Sequence, residues 1–258
     1  MSGRILLLRS STAGSEDATP GDVTVLHTHS VAPRPEGIAE ALAFDARDAT
    51  LVVSSKETIR FLHHLFRAPF ARMLAVGEST GDLLRRVNTG GADAGRAAGA
   101  STYSGASETQ IVVPGIPGAA GVLDFLRKSS AAAGMRILWP HGSDAAPEPF
   151  EEIRKLGVSL AAPVVYEKRP LALGEMNPSI LSDFHAGRFA AVAVGSTAGL
   201  DALLAALDVP AASLPPLRWG VLGAETAKAV TARGLPPPSV PAHARLSELL
   251  DLLRKEIR

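Results

Sequence analysis

The 258-residue chain has no cysteine, few aromatic residues (5%, with two tryptophans and two tyrosines) and no net charge, its 26 basic and 26 acidic side chains cancelling. Without cysteine there is no disulfide, no thiolate nucleophile and no cysteine-based metal site. The balanced charge offers no global field that would draw nucleic acid or a membrane surface, although a small basic cleft averages out of such a sum. No apolar run approaches the roughly 18 residues of a membrane span. After Arg4 the only apolar run at the start is Ile5–Leu8. That is too short for a signal-peptide core and reads as a buried strand, so a cytoplasmic location is expected. What the chain does have is core material, with 46% apolar residues and a mean hydropathy of +0.16. Its length suits one large domain or two ordinary ones.

Short apolar runs alternate with amphipathic helical patterns from end to end, the pattern of parallel-sheet α/β proteins. Strands are predicted at Arg4–Arg9, Val23–His29, Thr50–Val53, Met73–Val76, Arg136–Trp139, Val158–Tyr166, Ala190–Val194 and Arg218–Leu222. Helices are predicted at Glu36–Phe44, Lys56–Phe66, Ser79–Arg86, Ala119–Ser129, Pro147–Leu156, Ser179–Ala186, Ala198–Ala206, Glu225–Arg233 and Leu246–Glu256. Two segments break the rhythm. Asn88–Glu108, rich in Gly, Ala and Ser, has neither period and reads as a surface loop or insertion. Ser10–Asp22 stands where a crossover helix is expected between parallel strands, yet has almost nothing apolar to bury.

The chain also repeats itself. LVVSSKETIRFL from Leu51 aligns with VAVGSTAGLDAL from Val192, matching Val53 with Val194, Ser55 with Ser196 and Leu62 with Leu203. RMLAVGESTGDLL from Arg72 then aligns with RWGVLGAETAKAV from Arg218, matching Gly77 with Gly223 and Thr80 with Thr226. Each motif is a buried strand, a turn of small residues and a helix start. Small residues let the backbone turn sharply, and the unpaired N–H groups and dipole of the helix start favour carboxylates or phosphates. The same residues also serve simply as helix caps.

The ordered set resembles the uroporphyrinogen-III synthase family. The resemblance rests on Val53-Ser54-Ser55, Val76-Gly77-Glu78-Ser79-Thr80, Ile137-Leu138-Trp139-Pro140-His141-Gly142, and Gly157-Val158 leading to Val164-Val165-Tyr166. Gly195-Ser196-Thr197 and Leu222-Gly223-Ala224-Glu225-Thr226-Ala227 complete it. It implies two flavodoxin-like α/β domains with parallel sheets, joined by two extended linkers. Residues 1–31 plus 170–258 would form one domain and 32–165 the other, with hinges near 28–33 and 165–170. The implied reaction is cyclisation of hydroxymethylbilane to uroporphyrinogen III in the interdomain cleft, with inversion of the last ring and loss of water. No cofactor, metal, nucleic acid or membrane is implied. The resemblance suggests a monomer, functionally coupled to hydroxymethylbilane synthase.

By the same resemblance Tyr166 assists departure of the substrate hydroxyl, a task a phenol performs without a metal. Its other reading is an interfacial tyrosine that packs its ring and bonds backbone. Ser54, Ser55, Lys56, Gly77, Thr80, His141, Gly142, Ser196, Thr197, Gly223 and Thr226 are the implied substrate-binding residues, the serines and threonines doubling as helix caps. Arg9, Lys56, His141, Lys168 and Arg169 flank strand ends as candidate partners for the substrate carboxylates. His27, His29, His63 and His64 raise a metal reading, but His63 and His64, adjacent on a helix, are not expected to share a face. The His141 turn lacks the basic residue often found there in the family, and the Ser10–Asp22 connection departs from its pattern. A non-catalytic tetrapyrrole- or polyanion-binding module on the same scaffold is the alternative reading.

Overall fold

A computed structural model describes residues 3–12, 20–88, 109–116, 118–129, 133–208 and 213–258. The chain divides into two compact units, Met1–Val31 with Lys168–Arg258 (unit 1) and Ala32–Glu167 (unit 2). Unit 1 opens with β1 (Arg4–Thr12) and β2 (Val23–Pro33), the latter carrying the chain onward. Unit 2 then contains α1 (Pro35–Ala43), β3 (Thr50–Val53), α2 (Lys56–Phe61), a 3₁₀ turn at His63–Arg67, β4 (Arg72–Ala75) and α3 (Glu78–Asn88). It continues through β5 (Gln110–Val112), α4 (Ala119–Lys128), β6 (Arg136–Leu138), β7 (His141–Gly142), α5 (Glu148–Arg154) and β8 (Ser159–Ala161). The chain leaves unit 2 along β9 (Val164–Pro170) and completes unit 1 with α6 (Pro178–His185), β10 (Phe189–Val194), α7 (Thr197–Leu207), β11 (Arg218–Val221), α8 (Ala224–Ala232) and α9 (Leu246–Glu256).

In unit 1 the strand order β11-β10-β1-β2 is parallel throughout. Alternation along β1 explains why its run is uniformly apolar. Ile5 and Leu7 point to one face, where Ala191, Ala193 and the α9 residues Leu249, Leu250 and Leu253 pack. Leu6 and Leu8 point to the other, with Val192, Val194, Leu200 and Leu203. A strand covered on both faces has no polar side to present. Arg254 anchors α9 by donating from Nε and Nη2 to the Asp22 carboxylate at 2.7 and 2.8 Å, which holds that carboxyl below its usual range.

In unit 2 the parallel order is β5-β4-β3-β6-β8, and β7 pairs with β9. One face is filled by Val52, Leu74, Ile137, Val122, Leu126, Phe150 and Ile153. In each sheet the winding reverses beside the first strand of the unit. The ends of β1 and β10 flank that switch point in unit 1, those of β3 and β6 in unit 2. Open α/β sheets bind ligands outside the carboxyl ends of strands at such points.

Several details differ from the sequence expectations. The helix expected over Lys56–Phe66 stops at Phe61. Leu62, at φ −117°, leaves helical geometry and the chain tightens into the 3₁₀ turn, which keeps Leu65 and Phe66 buried. In that turn the His63 and His64 rings lie against each other with centroids 3.7 Å apart, so the prediction that they cannot share a face is corrected. The strand expected over Val158–Tyr166 is two strands, β8 and β9, interrupted at Ala162 and Pro163. Proline has no N–H to give a ladder. The sequence reading missed β5 and β7, which are too short to carry a period. Residues 89–108 of the segment read as a loop, and residues 13–19 of the Ser10–Asp22 connection, lie outside the described residues.

Candidate functional site

Each predicted turn follows the carboxyl end of a parallel strand, and the repeat survives as geometry. In unit 2 the Ser55 hydroxyl caps α2 by accepting from Thr58 N–H at 3.1 Å. In unit 1 Ser196 caps α7 by accepting from Gly199 N–H at 3.2 Å. The second motif of each pair has no side-chain cap. Gly77 precedes α3 and accepts at its carbonyl from Gly81 N–H at 2.9 Å, while Gly223 precedes α8 and accepts from Ala227 N–H at 3.1 Å. No atom would lie within 4 Å of a Cβ at Gly77 or Gly223, so both turns are open where a ligand would approach.

Thr80 and Thr226 occupy the third position of α3 and α8. Neither caps its helix, and among the described residues neither hydroxyl has a hydrogen-bond partner. Thr80 is nevertheless only 6% exposed. Thr197, the first residue of α7, is half-buried, and Lys56, at the same position of α2, is exposed.

Tyr166 reaches the α2 end of unit 2. Its hydroxyl donates to Ser55 Oγ at 3.1 Å, and its ring lies 6.1 Å from that of Phe61. Burial pushes the phenol up to about 12, against the lowering effect of the Ser55 hydrogen bond, with the Asp144 and Glu57 carboxylates adding to the rise. The group therefore keeps its proton at neutral pH. Gly142 pairs with Tyr166 in the β7–β9 register, and a Cβ there would collide with the phenol ring. The Asp144 carboxylate borders the same space.

His141 and Ser54 are occupied inside unit 2. The His141 nitrogens face the carbonyls of Gly142 (2.8 Å) and Ala162 (3.1 Å), and its ring packs 4.5 Å from Phe150. Ser54 reaches the Pro140 carbonyl at 3.5 Å. Of the predicted carboxylate partners, Arg169 in unit 1 is held by Glu175 through two bonds of 2.8 and 2.7 Å. That pairing lowers Glu175 to about 2. Among the described residues no three His, Asp or Glu side chains gather as a metal site.

Hollows open to solvent among the described residues of unit 1 include two of appreciable size. One of about 460 Å³ is lined by Val25, His27, Glu175, Met176, Asn177 and Ile180 among others, and one of about 640 Å³ by Ala227, Lys228, Thr231, Ala232, Pro237 and Pro238. Neither contains a predicted substrate-binding residue. Sequence reasoning missed Thr58, fully buried beside the Ser55 hydroxyl, although Ser-x-x-Thr at a helix start is the spacing that brings them together. No described helix is long and apolar enough to cross a membrane.

A family model described as uroporphyrinogen-III synthase HemD matches residues 15–251. No curated protein sequence matches the chain. Among solved structures, uroporphyrinogen-III synthetase from Helicobacter pylori 26695 is similar with a TM-score of 0.57 at 14% identity, covering 99% of this chain and 100% of that one. A mutant uroporphyrinogen III synthase from the extremely thermophilic bacterium Thermus thermophilus gives 0.52 at 13% identity, covering 90% and 88%. At these identities the two structures speak for the fold alone.

Proposed function

Because the chain belongs to the uroporphyrinogen-III synthase family, we propose that it cyclises hydroxymethylbilane to uroporphyrinogen III, inverting the last pyrrole ring with loss of water. The observation that carries this reading is the family match across residues 15–251. The local geometry supports it: each unit has one serine-capped and one open helix start, and in unit 2 a buried phenol that keeps its proton reaches the serine-capped one.

The chemistry asks for positioning more than for a strong catalyst. When the C–OH bond of the substrate breaks, a resonance-stabilised azafulvenium cation remains. It is attacked by the α-carbon of the last ring that already carries the bridge. That bridge bond then breaks to leave a second such cation on the neighbouring ring, and the free α-carbon closes onto it, which inverts the ring. The departing hydroxide takes up a proton, and one proton is returned when the attacked ring regains aromaticity, so the net loss is one water. Tyr166, protonated at neutral pH, is the proposed hydrogen-bond donor to the leaving oxygen, its O–H turning from Ser55 Oγ to that oxygen when substrate binds. The uncapped helix starts at Gly77 and Gly223, with the partnerless hydroxyls of Thr80 and Thr226, are proposed to bind substrate carboxylates, as oriented N–H groups do. One turn pair belongs to each unit, so we place a single substrate between the two, with residues 28–33 and 165–170 as hinges. Ser55 and His141 contribute indirectly in this scheme, since their polar atoms already have partners.

The test is to mix purified protein with enzymatically generated hydroxymethylbilane and separate isomers I and III. Isomer III is the expected product. Isomer I alone, the product of spontaneous closure, would refute catalysis, and tight binding without turnover would make the chain a tetrapyrrole-binding module. Tyr166→Phe is expected to lower kcat by about tenfold or more while leaving KM nearly unchanged, the loss of one acid–base contribution. An unchanged kcat would remove Tyr166 from the mechanism.

A further inference from the structure

We propose that Phe61 is a catalytic residue of the cyclisation, its ring face taking the first azafulvenium cation in a cation–π contact. This deepens the proposed function and rests on it, in particular on Tyr166 meeting the leaving oxygen.

The chain has eight phenylalanines. Phe66, Phe70, Phe150, Phe184 and Phe189 are buried, whereas Phe44, Phe61 and Phe125 are half-buried. The face of an aromatic ring is electron-rich and attracts a cation held within about 6 Å of its centre. Phe44 has the guanidinium carbon of Arg136 over its ring at 5.3 Å, and Phe125 has that of Arg72 at 5.4 Å. Phe61 is the exception. Among the described residues no cationic side chain stands over it. Its ring neighbour there is the uncharged phenol of Tyr166, 6.1 Å away and inclined by 40°.

Helix geometry explains why Phe61 stands beside Tyr166. It ends α2 one turn after Thr58, so the two share a helix face. Thr58 Oγ1 lies 3.0 Å from Ser55 Oγ, the atom that the Tyr166 hydroxyl reaches. That side of α2 thus offers the cap serine to the phenol hydroxyl and Phe61 to the phenol ring. The internal repeat supplies an independent observation. Ala202 of unit 1 stands where unit 2 has Phe61, so the strand–turn–helix motif itself does not call for an aromatic side chain. One is present in the unit whose cap serine meets a tyrosine.

Before reaction the hydroxymethylated pyrrole is neutral and gains little from a π face. When its C–O bond breaks, the electron pair leaves with the oxygen, which takes up a proton as water. One positive charge then spreads over the pyrrole. With Tyr166 holding the departing oxygen, the carbon left behind carries that charge beside the Phe61–Tyr166 pair. A contact that strengthens only as charge develops lowers the barrier without tightening substrate binding.

The test replaces Phe61 in the full chain, site-specifically, by phenylalanines bearing one, two and three ring fluorines. Fluorine withdraws electron density from the face and largely keeps the shape of the ring. In the isomer assay kcat is expected to fall at each step, to about a tenth with three fluorines, the scale of a desolvated cation–π contact. KM is expected to stay within about twofold, as for a contact made only in the transition state. Melting temperatures of the fluorinated proteins are expected to match the unmodified chain, which separates the electronic effect from misfolding. A kcat that ignores fluorination while Tyr166→Phe is slow overturns the role of Phe61 alone. It does so even where Phe61→Leu is slow, because packing against Tyr166 needs only the shape of the ring. Full turnover in Tyr166→Phe removes the placement on which the proposal stands. Isomer I alone from the unmodified chain refutes the cyclisation, and the proposal with it.

Discussion

At the scale of single residues, burial and hydrogen bonding decide what each side chain near the β3–α2 turn is able to do. Tyr166, 7% exposed, holds its proton up to about 12 because the phenolate loses hydration there. The sign of the linked stability change follows. The unfolded chain ionises this phenol near pH 10, while the folded chain resists until about 12. The contribution is therefore fully present below pH 10 and is lost as pH rises from 10 to about 12. Denaturant titrations over this window, on a Tyr103→Phe background that leaves Tyr166 as the single tyrosine, should show stability falling with pH, and Tyr166→Phe should flatten the slope. An identical slope in the two proteins would mean that Tyr166 is not desolvated. In the sequence Ser55 read either as a substrate ligand or as a helix cap; its hydroxyl caps α2 and is engaged by Thr58 and Tyr166.

At the scale of elements, short strands and close backbone approaches fix where the phenol sits. β7 spans just His141–Gly142, yet its pairing with β9 aligns Gly142 with Tyr166 and leaves the ring the volume that any Cβ would occupy. Gly142→Ala is expected to destabilise unit 2 by about 1–3 kcal/mol, the usual cost of overpacking, and to lower kcat by displacing the ring from Ser55. Thermal melts and the isomer assay check the two effects, and a variant with wild-type melting and turnover would refute the packing argument. Gly37 plays a comparable part in α1, where a Cβ would run into the Val164 carbonyl at the start of β9. The hydrophobic pattern could not have flagged either position, because a glycine chosen to make room for a partner leaves no period in its own segment.

At the scale of the whole molecule, the repeat places one serine-capped and one glycine-opened helix in each unit. If both pairs hold one substrate, Thr80→Val in unit 2 and Thr226→Val in unit 1 should each raise KM, by about tenfold for a hydrogen bond to a charged group. Their effects should multiply in the double variant, since the residues lie in separate units and share no partner. Steady-state kinetics of the three proteins decide the matter. A KM that responds to one threonine and ignores the other would contradict a substrate shared between the units.

The sequence by itself determined the α/β class, the positions of the nine helices named above and the repeated strand–turn–helix motifs. Those depend on local periodicity and on small residues at strand ends, and both are written in consecutive residues. Only the tertiary structure decided that Thr80 and Thr226 leave their helix starts uncapped, that His141 and Arg169 are already engaged, and that Tyr166 meets Ser55 from 111 residues away. A hydrogen bond has no sequence period. Which donor finds which acceptor is settled only when the elements pack, as where β9 brings Tyr166 to the turn after β3, a strand of a different sheet.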